Sequence, residues 1–300
     1  MQTHIRNLAF LLPCLILAAK VNSAPLPSRW AARSRIDTIR IERNVEYGKI
    51  NDVSLKLDLY IPAGDMRVGS HPGVVFIHGG GWVGGDKASW EPQARDLAER
   101  GFVAASINYR LAPKYRYPAA VEDCELAIRW LRQRSGEFHL DPARIGAIGD
   151  SAGGHLAALM GLRSLDESKE SSLPYSSRVQ CVVDYYGRTD LTIEQPAAKG
   201  FHDYRSAFIG KKRSEALSLY REASPLYRVD STAAPFLILQ GNKDVQVIPL
   251  NSQRMLEALE KAHVDATLVL IANEGHGFSS QTARTVWEFA VLFLERHLSK

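Results

Sequence analysis

From residue 40 onward, apolar and polar positions fall into two rhythms. RIERNVEYGK (40–49) and SLKLDLYIP (54–62) alternate apolar and polar residues around a polar turn, which predicts an antiparallel strand pair. Beyond it, short apolar runs, GVVFI, FVAASINY, RIGAIG, CVVDYY, PFLILQG and ATLVLI, take turns with longer amphipathic stretches, EPQARDLAERG, VEDCELAIRWLRQR and SQRMLEALEKAH. Short apolar runs that alternate with helical periods predict strands buried on both faces of a mostly parallel sheet wrapped by helices. The fold class is therefore α/β, with the hairpin extending one sheet edge.

The rhythm lapses between Gly187 and Tyr227, in a segment containing FHDYRSAFIGKKRSEALSLYREASP. It is a candidate cap (187–227) over the carboxyl ends of the strands, with a plain surface excursion as the alternative. No repeat or linker divides the rest, so residues 25–300 read as one domain.

The first 24 residues read differently. Arg6 precedes a nearly unbroken apolar run from Leu8 to Ala19, and Val21 to Ala24 offer small residues for cleavage. This is the pattern of a signal peptide spanning 1–24, too short for the roughly 20 apolar residues of a membrane span, and it implies a secreted or periplasmic protein. A retained short anchor is the competing reading.

Charge adds little. The formal net charge of +4 includes Arg6 and Lys20, so a chain starting at Ala24 carries 35 basic against 33 acidic residues, or +2. Arg29, Arg33, Arg35, Arg40 and Arg43 cluster, but with Asp37 and Glu42 among them and no interleaved aromatics they predict a solvated arm rather than a nucleic-acid surface. Cys14 leaves with the signal; Cys124 and Cys181 fall in a helical and a strand pattern, as small buried groups rather than a disulfide framework or a zinc site. No metal or cofactor is expected.

The chemistry sits in IGDSAGGH (148–155). RIGAIG supplies a strand, AGGHLAALMGLR a helix, and Ser151 the tip between them, the strand-turn-helix setting that gives a GxSxG match its meaning. Gly149 and Gly153 let strand and helix approach, and the helix start aims the Ala152 amide where an oxyanion forms. A serine needs a base, and the base an orienting carboxylate. In such folds they follow in the order acid then histidine, each on a loop after a later strand. Asp244 lies just past PFLILQG and His276 just past ATLVLI. Among the other histidines His202, in the cap segment, is the competitor for the base; Asp184 and Asp190 compete less well for the acid. FIHGGGWVGGDK (76–87) follows a strand, and Gly80 and Gly81 are expected to join Ala152 as oxyanion donors, with His78 fixing the loop. No GKS or GKT follows, which argues against a phosphate cradle. Trp82 and Tyr186 are candidate flat faces for a sugar ring, with core packing as the alternative.

HGGGW, NYRLAPKYRYPAAVEDC, GDSAGG, YYGRTDL, ASPLY and EGHGF, in this order, resemble the α/β-hydrolase esterases related to hormone-sensitive lipase, and most closely the BD-FAE carbohydrate esterases. The resemblance covers Val45 to the end. It implies a serine carboxylesterase acting without a cofactor on small-molecule or polysaccharide esters, including acetyl or feruloyl groups of plant polysaccharides. By it Ser151, Asp244 and His276 match the triad, and Gly80, Gly81 and Ala152 the oxyanion amides. Two features depart from the pattern: the proline usual directly after Val247 comes one place later, as Pro249, and Asn273 and Glu274 stand where relatives carry small residues. Amide hydrolysis, by a peptidase or arylformamidase, and a non-catalytic binding module on the same fold are the competing functions.

Overall fold

The computed structural model describes residues 35–36, 38–63, 71–162, 174–194 and 203–298. The expected signal segment, Arg29, Arg33 and His202 lie outside the described residues. Within them the chain runs β1 (Ile39–Ile50), β2 (Val53–Pro62), β3 (His71–Ile77), α1 (Glu91–Glu99), β4 (Val103–Ile107), α2 (Ala119–Gln133), β5 (Leu140–Asp150), α3 (Ala152–Met160), β6 (Cys181–Tyr185), α4 (Arg205–Ile209), α5 (Leu217–Glu222), β7 (Phe236–Gly241), α6 (Leu250–Lys261), β8 (Ala266–Ile271) and α7 (Ser280–Leu298).

The eight strands form one sheet in the order β1-β2-β4-β3-β5-β6-β7-β8. The β1–β2 and β2–β4 pairs are antiparallel and the rest parallel, so the alternating segments do form an edge hairpin. Successive residues of the apolar strands serve opposite layers. Val75, Ile77, Ala105 and Ala147 pack with Cys124 and Ile128 of α2, Leu156 of α3 and Met255 of α6; Val74, Phe76, Ala104 and Ile148 pack with Leu97 of α1 and Leu294 of α7. That two-sided burial is why these strands read as continuous apolar runs. Cys124 and Cys181 are free and buried, as expected.

Among the described residues, Arg35, Arg40 and Arg43 are exposed, as expected, but Arg40 and Arg43 belong to a strand rather than to an arm. Arg43 lies on β1 and is paired with Asp58 and Glu91, while Arg35 reaches Asp96 and Glu99. Carboxylates on β2 and α1, invisible in the local sequence, draw these cations onto the sheet edge.

Strand β3 has β4 on one side and β5 on the other. Chain leaving β3 and β5 thus parts at a point where the winding reverses, where open α/β sheets form a crevice at the carboxyl ends of their strands. The glycine run and Ser151 both lie there.

Candidate active site

Ser151 links β5 to α3 with φ 54° and ψ −115°, a conformation costing roughly 1–3 kcal/mol for a residue with a side chain. The turn is held by the surrounding backbone: the Ser151 N–H donates to the Tyr185 carbonyl at 2.8 Å. It is also too crowded for side chains beside it. A Cβ on Gly153 would lie 2.0 Å from the Ile77 carbonyl oxygen, and one on Gly149 2.2 Å from the Gly153 oxygen. The glycines therefore let β5, α3 and the end of β3 meet backbone to backbone, with the serine hydroxyl outside the contact.

The other two side chains converge on it. His276 Nε2 is 2.9 Å from Ser151 Oγ, and its Nδ1 is 2.8 Å from Asp244 Oδ2. Asp244 follows β7 and is buried; His276 follows β8. The carboxylate is an acceptor on both oxygens: Oδ1 takes the amides of Gln246 and Val247 at 2.8 Å each, and Oδ2 takes the Gln240 side-chain amide at 3.1 Å. The Asp244-facing nitrogen of the imidazole therefore carries the proton, leaving Nε2 to accept from the serine hydroxyl. Pro249 stands at the amino end of α6, beyond the turn closed by the Val247 amide, so its displaced position leaves the Asp244 turn whole. Glu274 does not contact the imidazole. It accepts from the Ser279 amide and the Ser279 and Thr282 hydroxyls at the start of α7; burial raises its pKa, but those hydrogen bonds outweigh it and hold the carboxyl below its usual value.

The glycine loop after β3 supplies the facing wall. Gly80 and Gly81 have φ of 107° and 61°, a region that favours glycine. Within the described residues, the N–H groups of Gly80, Gly81 and Ala152 donate to no protein acceptor, and all three residues line one cavity with Ser151 and His276. Two links hold the loop. The Gly79 amide donates to Asp150 Oδ1 at 2.9 Å, tying the loop to the serine turn. His78 bonds through Nδ1 to the Gly79 carbonyl at 2.7 Å and stacks on Tyr109, the loop-fixing part expected of it.

The cavity holds about 490 Å³. Trp82 lines it yet is only 3% exposed, with its ring stacked on Phe208 at 4.6 Å and its N–H donated to His155 Nδ1. This corrects the reading of Trp82 as a sugar platform: Phe208 takes the face. Tyr186, also lining, stays half-buried with its ring 4.8 Å from His276 and edge-on to Phe278. Sequence reasoning missed Arg188, Asp203, Tyr204 and Gln246 on the cavity wall and Gln240 beneath Asp244. The first three fall in the cap segment, whose irregularity was its only signal; Gln240 was hidden as the polar residue of a buried strand.

The comparisons with known proteins agree with this fold. The BD-FAE family model matches residues 57–259. Esterase LipC of Mycobacterium tuberculosis is 34% identical over 272 residues, covering 86% of this chain and 66% of that protein. The chain spans 46% of a second relative from the same organism, Esterase LipQ. Among solved structures, a truncated carbohydrate esterase from gut microbiota superposes with a TM-score of 0.73 at 26% identity, over 90% of this chain and 99% of that one. Esterase Est2 of Thermogutta terrifontis gives 0.73 at 28% identity, over 88% and 95%. With its family model spanning residues 57–259, which hold most of the sheet, this chain belongs to the BD-FAE family and has the α/β-hydrolase fold.

Proposed function

We propose that the protein is a serine carboxylesterase that hydrolyses short-chain acyl or aryl esters, with acetyl or feruloyl groups on plant polysaccharides among its substrates. One observation carries the reading: the hydrogen-bonded series Asp244, His276, Ser151 faces three undonated backbone amides across a single cavity. The names of the relatives, an esterase and a carbohydrate esterase, support the substrate class.

In the proposed reaction Ser151 Oγ attacks the ester carbonyl while His276 Nε2 takes its proton, and Asp244 steadies the imidazolium. The Gly80, Gly81 and Ala152 amides receive the oxyanion, where loss of one donor costs about 10² to 10³ in turnover. His276 then protonates the departing alcohol and activates water against the acyl-enzyme. Tyr186 walls the imidazole on one side, and segment 187–227 acts as the cap, since Arg188, Asp203 and Tyr204 within it line the cavity. Export is proposed from the 1–24 pattern; protein recovered outside the cytoplasm is expected to begin near Ala24.

Ser151→Ala tests the chemistry. Cleavage of p-nitrophenyl acetate is expected to fall by at least about 10³ while the circular dichroism spectrum is unchanged, and a fluorophosphonate probe is expected to label the parent chain at Ser151 alone. Turnover persisting in the variant would remove the nucleophile from the proposal.

A further inference from the structure

Strand β7 is apolar from Phe236 to Leu239 and then carries a polar side chain, Gln240, which is fully buried. A buried amide costs stability unless its hydrogen bonds are met, and those of Gln240 converge on one loop. Its Nε2 faces Asp244 Oδ2 at 3.1 Å, the Val247 carbonyl at 3.2 Å and the Gly241 carbonyl at 3.1 Å, while its Oε1 accepts from the hydroxyl of Ser252 on α6 at 2.8 Å. The three partners of Nε2 only accept, so the amide has one workable orientation. Turned over, it would set an oxygen against a carboxylate and two carbonyls. Ser252, which fixes that orientation from the other side, is itself fully buried.

These bonds bear on the carboxylate that the mechanism needs. The amides of Gln246 and Val247 hold Oδ1, but the torsion that turns a carboxylate is soft, so what holds Oδ2 decides where the group faces. Oδ2 is the oxygen that meets His276 Nδ1, and among the described residues Gln240 is the one other side chain that donates to it. The same amide ties the loop as well. Val247 gives its N–H to Asp244 and its carbonyl to Gln240, so the turn is closed at both ends of that residue. Gln240 stands opposite Leu270 in the β7–β8 pairing, on a sheet strand, which positions a group more closely than a loop does. A lysine or arginine here would offset the charge of Asp244; a neutral amide orients the carboxylate and leaves its charge for the imidazolium.

We propose that Gln240 is a positioning residue of the reaction, turning the Asp244 carboxylate toward His276 and clamping the loop that carries it, with Ser252 acting through Gln240. The proposal rests on the serine-esterase reading above and deepens it.

The test measures kcat/KM for p-nitrophenyl acetate and the rate of fluorophosphonate labelling in the full chain, in Gln240→Met, in Asp244→Ala and in the double variant. Gln240→Met is close in size and lacks the donor; it is expected to lower both rates by about tenfold in the parent chain, and by less than about twofold where Asp244→Ala is already present. Packing alone would produce the same loss in both backgrounds. Ser252→Ala removes only the bond that holds the amide, and is expected to lower both rates by about threefold while adding nothing to Gln240→Met. If circular dichroism shows that Gln240→Met does not fold, Ser252→Ala with and without Asp244→Ala makes the same comparison. An equal loss in the two backgrounds, or no loss in the parent chain, overturns the positioning role and leaves the esterase reading standing. Undiminished turnover in Asp244→Ala removes Asp244 from the mechanism and the role of Gln240 with it. A parent chain that neither cleaves the ester nor takes the probe overturns the esterase reading as well.

Discussion

His155 joins three parts of the molecule. It sits fully buried on α3, its Nδ1 accepts the Trp82 indole N–H at 3.2 Å, and its Nε2–H donates to the Ala223 carbonyl at 2.8 Å. The glycine loop and the chain after α5 are thereby fastened to the helix behind the serine, and only by a neutral ring, because a protonated Nδ1 would point a hydrogen at the indole N–H. Burial lowers its pKa from 6.5 to about 4. The sign follows directly: a folded-state pKa below the unfolded one gives stability that is whole above pH 6.5 and is lost as pH falls through about 4. Between about pH 8 and about pH 5 the unfolded chain takes up nearly a full proton that the folded chain refuses, worth about 2 kcal/mol. Urea unfolding followed by tryptophan fluorescence, on the parent protein and His155→Gln at both pH values, measures it. Every carboxyl is common to the two chains and cancels in the difference. The parent protein is expected to lose about 2 kcal/mol more than the variant on acidification; parallel losses would refute the neutral fastening.

Two more perturbations probe the frame around the serine. Gly153→Ala drives a methyl group into the Ile77 carbonyl, which is backbone and has no rotamer to yield. The expected cost is about 1–3 kcal/mol with a larger loss in kcat than in KM, read by urea melts and steady-state kinetics, because α3 and its Ala152 amide must shift. Asp184 is fully buried on β6, and among the described residues only its Oδ1 is paired, with the Gly187 amide. Burial raises its pKa from 3.8 to about 7, so its contribution is favourable below 3.8 and is lost as pH rises through about 7. Asp184→Asn is therefore expected to gain stability over the parent chain between about pH 5 and about pH 8, by roughly 2–4 kcal/mol; a urea-midpoint difference that does not widen with pH would contradict it.

The layered sheet was legible because burial on both faces leaves an unbroken apolar run, and the positions of Ser151, Asp244 and His276 because each follows such a run. Their hydrogen bonds join loops distant in sequence, yet chain order after the strands was enough to place them. The miss at Trp82 has a different origin. Whether a ring is open or covered depends on its neighbour, and Phe208 belongs to the irregular segment after Gly187, where no period predicts packing. Tyr204 and Asp203 were obscured in the same way, and Gln240 because a polar side chain within a buried strand shows its partner only in three dimensions. The exposure of the arginines near residue 40 was legible, but their pairing was not, because the carboxylates that Arg35 and Arg43 meet stand on β2 and α1.

The Asp150 carboxylate, set between the Ser151 turn and the Gly79 amide, braces the serine against the glycine loop. A substrate that presses on either wall cannot widen the gap between them without breaking that strut. Under the esterase reading, change in substrate range is thereby diverted from the braced serine toward cavity-lining residues held elsewhere, such as Asp203 with its Arg205 anchor.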